Sequence, residues 1–181
     1  MKQAIFLDRD NTLIANDGDL GDPTALRLLD GVPESLLRLR ESGFCLFVIT
    51  NQGGVARGKY QEDDVVRVHE ALSEMLNDLT GCHDLIEAFF YCPFHPEGVV
   101  EEYTKEHPWR KPQPGMLLHA ALEHDLDLAS SWMIGDQPRD VQAGRAAGCT
   151  TIQLGGSSPC ADFVSQTLLE ATEIILKETA S

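Results

Sequence analysis

Four short stretches of the chain carry side chains suited to phosphoryl chemistry. Asp8-Arg9-Asp10-Asn11-Thr12 sets two carboxylates two places apart, and Thr50-Asn51-Gln52-Gly53-Gly54 offers a hydroxyl and two amides beside paired glycines. Arg110-Lys111-Pro112 brings two cations, and Gly135-Asp136-Gln137-Pro138-Arg139-Asp140 brings two further carboxylates. A magnesium ion takes hard oxygen ligands, commonly one or two carboxylates with water and substrate phosphate. Asp8 and Asp136 can supply the carboxylates, and a backbone carbonyl near Asp10 can add an oxygen. Such an ion offsets the repulsion between a carboxylate and a phosphate, so that Asp8 can attack phosphorus in line. Asp10 can protonate the leaving oxygen and later deprotonate water. Thr50, Asn51 and Lys111 can hold the phosphoryl oxygens as charge redistributes.

Those residues need elements that bring them together. Ala4 to Leu7, Phe44 to Ile49, Ile86 to Tyr91, Trp132 to Ile134 and Thr151 to Leu154 are short apolar runs of the kind that form buried strands. Between them, residues 31–43, 61–80, 114–124 and 141–147 have helical spacing, and 167–177 closes the chain as a helix. In 61–80, for example, Val65, Val68, Leu72, Met75, Leu76 and Leu79 recur on one face, and Glu62, Asp63 and Asp64 suit the first turn. The alternation predicts a doubly wound, Rossmann-like α/β fold with a parallel sheet of about five strands. Three of the four motifs then stand at strand ends, where such sheets bind ligands near the switch in strand order. Carboxylates at the ends of buried strands are costly there unless partnered. Residues 92–112 look irregular, and a loop of that length inside a compact domain is usually functional.

The bulk properties narrow the partners. The chain has 181 residues, 43% of them hydrophobic, which predicts one globular domain over residues 1–181. A net charge of -15 disfavours nucleic acid and anionic membrane, leaving a small phosphorylated metabolite as the expected partner. No stretch has the length of a membrane span, and Met1-Lys2-Gln3 runs straight into a strand, not a signal peptide. Five scattered cysteines fit reduced thiols in a cytoplasm. The oligomeric state is not written in the pattern. Taken singly, each candidate has a plain alternative. Thr50 or Asp140 could cap a helix, Lys111 could be a solvated cation, and Asp136 could mark a turn. Arg57 and Arg110 could be surface ion-pair formers in an acidic protein. Asp17, Asp19 and Asp22 lack the later glutamate of a calcium loop. Only the full set, in order and at strand ends, points to catalysis.

That set resembles the four motifs of the haloacid dehalogenase-like phosphatases. The resemblance makes Asp8 the nucleophile and Asp10 the general acid and base. Thr50 or Asn51, with Lys111, binds phosphate; Asp8, Asp10 and Asp136 bind magnesium, and Asp140 supports them. Phe6 to Asp10, Thr50 to Gly58, Tyr91-Cys92-Pro93 and Arg110 to Met116 are closer still to the D-glycero-D-manno-heptose 1,7-bisphosphate 7-phosphatase and histidinol-phosphate phosphatase subgroup. This subgroup implies a minimal cap, an aspartyl-phosphate intermediate, and a heptose bisphosphate as leading substrate, with histidinol phosphate as the alternative. It also implies substrate roles for Arg110, Gln52 and Arg57, and a pocket wall near residues 16–19. Asn11 stands where the subgroup often has glycine.

The subgroup commonly holds a structural zinc in the long loop through Cys-x-His and Cys-x-Cys. Here the segments are Cys92-Pro93-Phe94-His95 and His107-Pro108-Trp109. Only Cys92 matches, with His95 and His107 as displaced remnants, so a loop without zinc and an activity needing magnesium alone are expected. Two rival classes use similar residues. A phospho-aspartate receiver domain normally carries its acceptor after the third strand, where this chain has Tyr91-Cys92. A binding protein that had lost catalysis would not be expected to keep Asp8, Asp10, Lys111 and Asp136 together.

Overall fold

The computed structural model describes residues 1–16, 18–156 and 159–180. All of β1 (Ala4–Leu7) is buried, and its side chains alternate between two apolar layers. Ile5 and Leu7 face the layer shared with α1 (Val32–Glu41), α2 (Glu62–Thr80) and α5 (Leu168–Thr179). Ala4 and Phe6 face the layer shared with α3 (Gly115–His124) and α4 (Pro138–Ala147). β2 (Cys45–Asn51) splits the same way, with Leu46 and Val48 on one side and Phe47 and Ile49 on the other. Burial on both faces is why these strands read as continuous apolar runs.

The sheet is parallel throughout, in the order β3-β2-β1-β4-β5-β6, where β3 is Ala88–Cys92, β4 is Trp132–Gly135, β5 is Thr150–Leu154 and β6 is Phe163–Ser165. The sequence predicted about five strands; the sheet has six. The extra one is a three-residue edge strand with Val164 exposed, too short to show a period. Chain order reverses on either side of β1, which lies between β2 and β4. The carboxyl ends of β1 and β4 are thereby neighbours, and the Asp8 amide donates to the Ile134 carbonyl at 2.9 Å.

Local sequence also sets the helix starts. Gln61 with Asp64, and Gln137 with Asp140, form reciprocal side-chain to backbone caps at α2 and α4. Pro138 opens α4 three residues before the expected Val141. Between β3 and α3 the only regular turn among the described residues is a 3₁₀ turn at Glu101–Tyr103. This segment is fastened by backbone bonds. The Val99 and Val100 amides donate to the Ala56 carbonyl at 2.7 and 3.0 Å, and the Gly115 amide donates to the Pro108 carbonyl at 3.0 Å. Among the described residues, no helix is long and apolar enough to cross a membrane.

α4 comes close to the sheet at Gly144. A Cβ there would lie 2.6 Å from Met133 Cβ and 2.8 Å from Thr151 Cγ2. Alanine is the better helix former by ~1 kcal/mol. Overpacking costs ~1–3 kcal/mol, and a neighbouring Cβ fixed to its own backbone cannot swing away. Gly144→Ala is therefore expected to destabilise the fold by a net ~1 kcal/mol and to lower the Tm by a few degrees. A raised Tm would show that helix propensity, not the helix–sheet spacing, governs this position.

Candidate active site

Lys111 sits where the motifs meet. It is 2% exposed, and its Nζ lies 2.7 Å from Asp8 Oδ1, 2.7 Å from Asp140 Oδ1 and 2.7 Å from the Ile49 carbonyl. Burial works against its charge, but Asp140 and Asp8 outweigh burial and hold the ammonium pKa above its ordinary value. Its backbone is held by Asn51. The Asn51 Nδ2 donates to the Lys111 carbonyl, and the Lys111 amide donates to Asn51 Oδ1, both at 3.0 Å. Asn51, expected at the phosphate, thus has its amide engaged in fixing the lysine. Asp140 has two tasks, pairing with Lys111 and accepting from the Gln137 amide at 3.0 Å to cap α4. A Cβ at residue 135 would overlap the Asp140 carboxylate, so Gly135 is what lets that side chain reach the lysine.

Oxygen atoms of Asp8, Asp136 and Asp140 lie within 4.8 Å of one another, the only such metal-competent group among the described residues. Burial pushes the Asp8 carboxyl up to about 7; Lys111 opposes this, while the Asp140 and Asp10 charges add to it. Burial also raises Asp136, against the hydrogen bond from Gln137 Nε2 at 2.7 Å. The other Asp136 oxygen, Oδ1, is buried and has no hydrogen-bond partner among the described residues. Three clustered carboxylates, of which two pair with one buried ammonium and the third has an unpartnered oxygen, fit a hard divalent cation.

Asp10 turns away from this cluster. Its Oδ1 accepts from Arg9 Nη2 at 3.1 Å and from Asn16 Nδ2 at 2.7 Å; its Oδ2 accepts from Gln52 Nε2 at 2.9 Å. Asp10 was expected among the metal-binding residues, and its carboxylate is outside the three-acid group. Gln52 is occupied as well. Its Oε1 accepts from Arg9 Nη2 at 3.0 Å and Tyr60 Oη at 2.8 Å, and its Nε2 also donates to Thr50 Oγ1 at 2.8 Å. Thr50 lies buried beneath that amide. Asn11 has φ of 57°, a left-handed conformation that asparagine tolerates better than most residues. Its side chain bonds the backbone of Asn16 at 2.9 and 3.0 Å, which secures the turn that a glycine would only permit.

A cleft of about 210 Å³ opens over these groups, lined by Asp8, Asp10, Lys111 and Asp136 on the floor and by Asn16, Gly18 and Asp19 on one wall. Asp17, in the same stretch, lies outside the described residues. Arg57 and Arg139 line the cleft too, and Arg139 shares an adjoining groove with Arg110 and Lys111. Arg57 pairs with Asp19 at 2.5 Å. Burial and the nearby Arg139 and Arg57 charges lower the Arg110 pKa, a sign of guanidinium groups crowded in an otherwise acidic protein. The expected pocket wall near residues 16–19 includes Asn16, whereas the sequence reading missed Arg9, Tyr60 and Arg139. Arg9 and Arg139 stand inside the motifs themselves, and that position was the available signal.

The loop histidines are engaged with their own backbone. His95 Nδ1 accepts from the Glu97 amide at 3.0 Å, and His107 Nδ1 accepts from the Trp109 amide at 3.1 Å. His107 also stacks on Phe94 at 4.4 Å between ring centroids, and buried Cys92 points its Sγ toward the Phe94 carbonyl at 3.9 Å.

A family model described as HAD-hydrolase-like matches residues 108–165. The Salmonella typhi D-glycero-beta-D-manno-heptose-1,7-bisphosphate 7-phosphatase is 35% identical, over 97% of this chain and 96% of its own. The chain belongs to the haloacid dehalogenase-like family. The Escherichia coli K12 protein of the same name as the Salmonella one is 36% identical, over 97% of this chain and 94% of its own. Among solved structures, the D,D-heptose 1,7-bisphosphate phosphatase from B. bronchiseptica, complexed with magnesium and phosphate, matches with a TM-score of 0.84. It is 28% identical, over 97% of this chain and 99% of that one. In this haloacid dehalogenase-like chain residues from all four stretches meet at one cleft.

The raised Asp8 pKa has a measurable consequence. A cation binds the ionised carboxylate, so below about pH 7 it must displace a proton, and above that value it need not. Divalent-ion affinity is therefore expected to rise as pH increases from 6 to 7 and to flatten by pH 8. Isothermal titration at the three pH values measures it; affinity that is constant or falls with pH would contradict the placement of Asp8 in the ion's site.

Proposed function

We propose that this chain is a phosphoric monoester hydrolase acting on D-glycero-D-manno-heptose 1,7-bisphosphate, removing the 7-phosphate through an aspartyl-phosphate on Asp8. The observation that carries the reading is one cleft with Asp8, Lys111 and Asp136 on its floor and guanidinium groups at its rim. The names of the relatives support it. An Asp8 oxygen attacks phosphorus while the bond to the sugar oxygen breaks, and Asp10 gives that oxygen a proton. Water then attacks phosphorus, Asp10 takes its proton, and the Asp8 carboxylate is restored as phosphate leaves. Asp8 and Asp136, with an oxygen from the Asp10 backbone, would hold magnesium, which supplies charge neutralisation of the phosphoryl group. The fit of the three-acid group and the magnesium bound to the B. bronchiseptica enzyme support that choice. Lys111, its three N–H groups directed at Asp8, Asp140 and the Ile49 carbonyl, would lend its positive charge to the phosphoryl group beside Asp8, with Thr50 and Asn51 holding the floor beneath. Asp140 keeps Lys111 in place.

The rim separates the two substrates of the subgroup. A bisphosphate presents a second dianion to Arg110, Arg57 and Arg139. Histidinol phosphate presents an ammonium, which those cations repel. We assign no zinc to the loop, because both His Nδ1 atoms accept backbone hydrogen bonds and aromatic stacking supplies cohesion instead. Reduced cysteines and an acidic surface suit a cytoplasmic enzyme of sugar metabolism, acting as one domain.

Steady-state kinetics test the reading. The wild-type kcat/KM is expected to be highest for the heptose bisphosphate. Arg110→Ala is expected to lower that value by ~10–100-fold, as loss of a charge-assisted contact of ~1.5–3 kcal/mol implies, and to change an aryl phosphate only slightly. Equal losses on both substrates would remove the rim's claim to specificity; preference for histidinol phosphate would replace the substrate.

A further inference from the structure

Arg9 stands between the two acids of the first motif, and nothing in the chemistry above uses it. Its residue surface is 0% exposed, which makes it the largest fully buried side chain of the described residues. A guanidinium is always charged, so complete burial demands a partner. The partner is Asp10. Nε and Nη2 both face Asp10 Oδ1, at 3.3 and 3.1 Å, and Nη2 also lies 3.2 Å from Oδ2. The same Nη2 donates to Gln52 Oε1 at 3.0 Å.

Gln52 completes the clamp. Its amide has both oxygen contacts and both nitrogen contacts filled, by Arg9, Tyr60, Asp10 and Thr50, so it has one orientation. Tyr60 is itself wedged. A Cβ on Gly21 would fall 2.5 Å from Tyr60 Cβ, and a Cβ on Gly54 would overlap its ring. A rigid frame therefore reaches the Asp10 carboxylate from below, and Asn16 touches it from the cleft side.

We propose that Arg9 is a positioning residue for Asp10. It holds the carboxyl group where one oxygen can meet the leaving oxygen of a substrate seated on Asp8, and Gln52 and Tyr60 hold Arg9 in turn. The proposal rests on the reading of Asp10 as general acid and base. Positioning of this kind works through the acid step. An aryl phosphate has a leaving group that departs without a proton, whereas an alkyl phosphate, such as a sugar phosphate, has one that needs it. Because kcat/KM reports only steps up to departure of the leaving group, it isolates that difference from the later hydrolysis of the aspartyl-phosphate.

The experiment compares kcat/KM for a sugar phosphate and 4-nitrophenyl phosphate in the wild type, Asp10→Asn, Arg9→Met and Arg9→Lys, with circular dichroism and magnesium affinity as checks of the fold and the metal site. Asp10→Asn is expected to lose ~10²-fold or more on the sugar phosphate relative to the aryl phosphate. Arg9→Met is expected to shift the ratio the same way by ~10-fold or more, with magnesium affinity unchanged, and Arg9→Lys, which keeps the charge but not the fork, to fall between it and the wild type. If Arg9→Met does not fold, the ratio in Arg9→Lys decides. An unshifted ratio in the folded Arg9 variants, or equal losses on both substrates, would show that Arg9 serves only the fold. An unshifted ratio in Asp10→Asn would instead overturn the acid assignment, and the Arg9 proposal with it.

Discussion

The buried ammonium of Lys111 is the interaction on which the site depends. A lone cation in an apolar interior is expensive, and this one is offset by two carboxylates and a carbonyl, each at 2.7 Å. The requirement propagates outward. Asp140 reaches the lysine because residue 135 is glycine, and it stays there because it also caps α4. Asn51 brackets the lysine backbone from the end of β2. Asp8 is delivered from the end of β1, beside β4, by the reversal in strand order. Two strands, one helix and the loop that carries the lysine are thus tied at a single nitrogen atom. The balance of charge there remains negative, which is why a divalent cation suits the place.

The same accounting of charge applies on a larger scale. A chain with a net charge of -15 repels anions in general, yet its cleft must attract one. The solution is local concentration. Lys111 lies at the floor, and Arg57, Arg110 and Arg139 stand at the rim. The net charge repels anions from the surface in general, and under the proposed function these cations would offset that repulsion at the cleft.

Much of this was legible in the sequence because strand ends announce themselves. Apolar runs that stop at Asp8, at Thr50 and at Asp136 place those residues at one edge of any doubly wound sheet, whatever the details. Distances between elements were not legible. Nothing in the spacing of Asn51 tells that its amide turns to the Lys111 backbone, or that Asp140 rather than Asp10 joins the three-acid group. Those outcomes depend on side-chain directions fixed by tertiary contact. β6 escaped because three residues cannot display a period, and Arg9 because a charged residue beside acids reads as solvated. Its burial follows from Gln52 and Asp10 folding over it.

The central claim is that Asp8, steadied by Lys111, accepts the phosphoryl group. Rapid acid quench of the magnesium-loaded enzyme during turnover, followed by peptide mass spectrometry, tests it directly. The account predicts a phosphoryl group on the peptide that contains Asp8, on that residue, gained and lost within one catalytic cycle. A phosphoryl group on another residue, or burst kinetics showing a covalent intermediate with Asp8 unmodified, would contradict it.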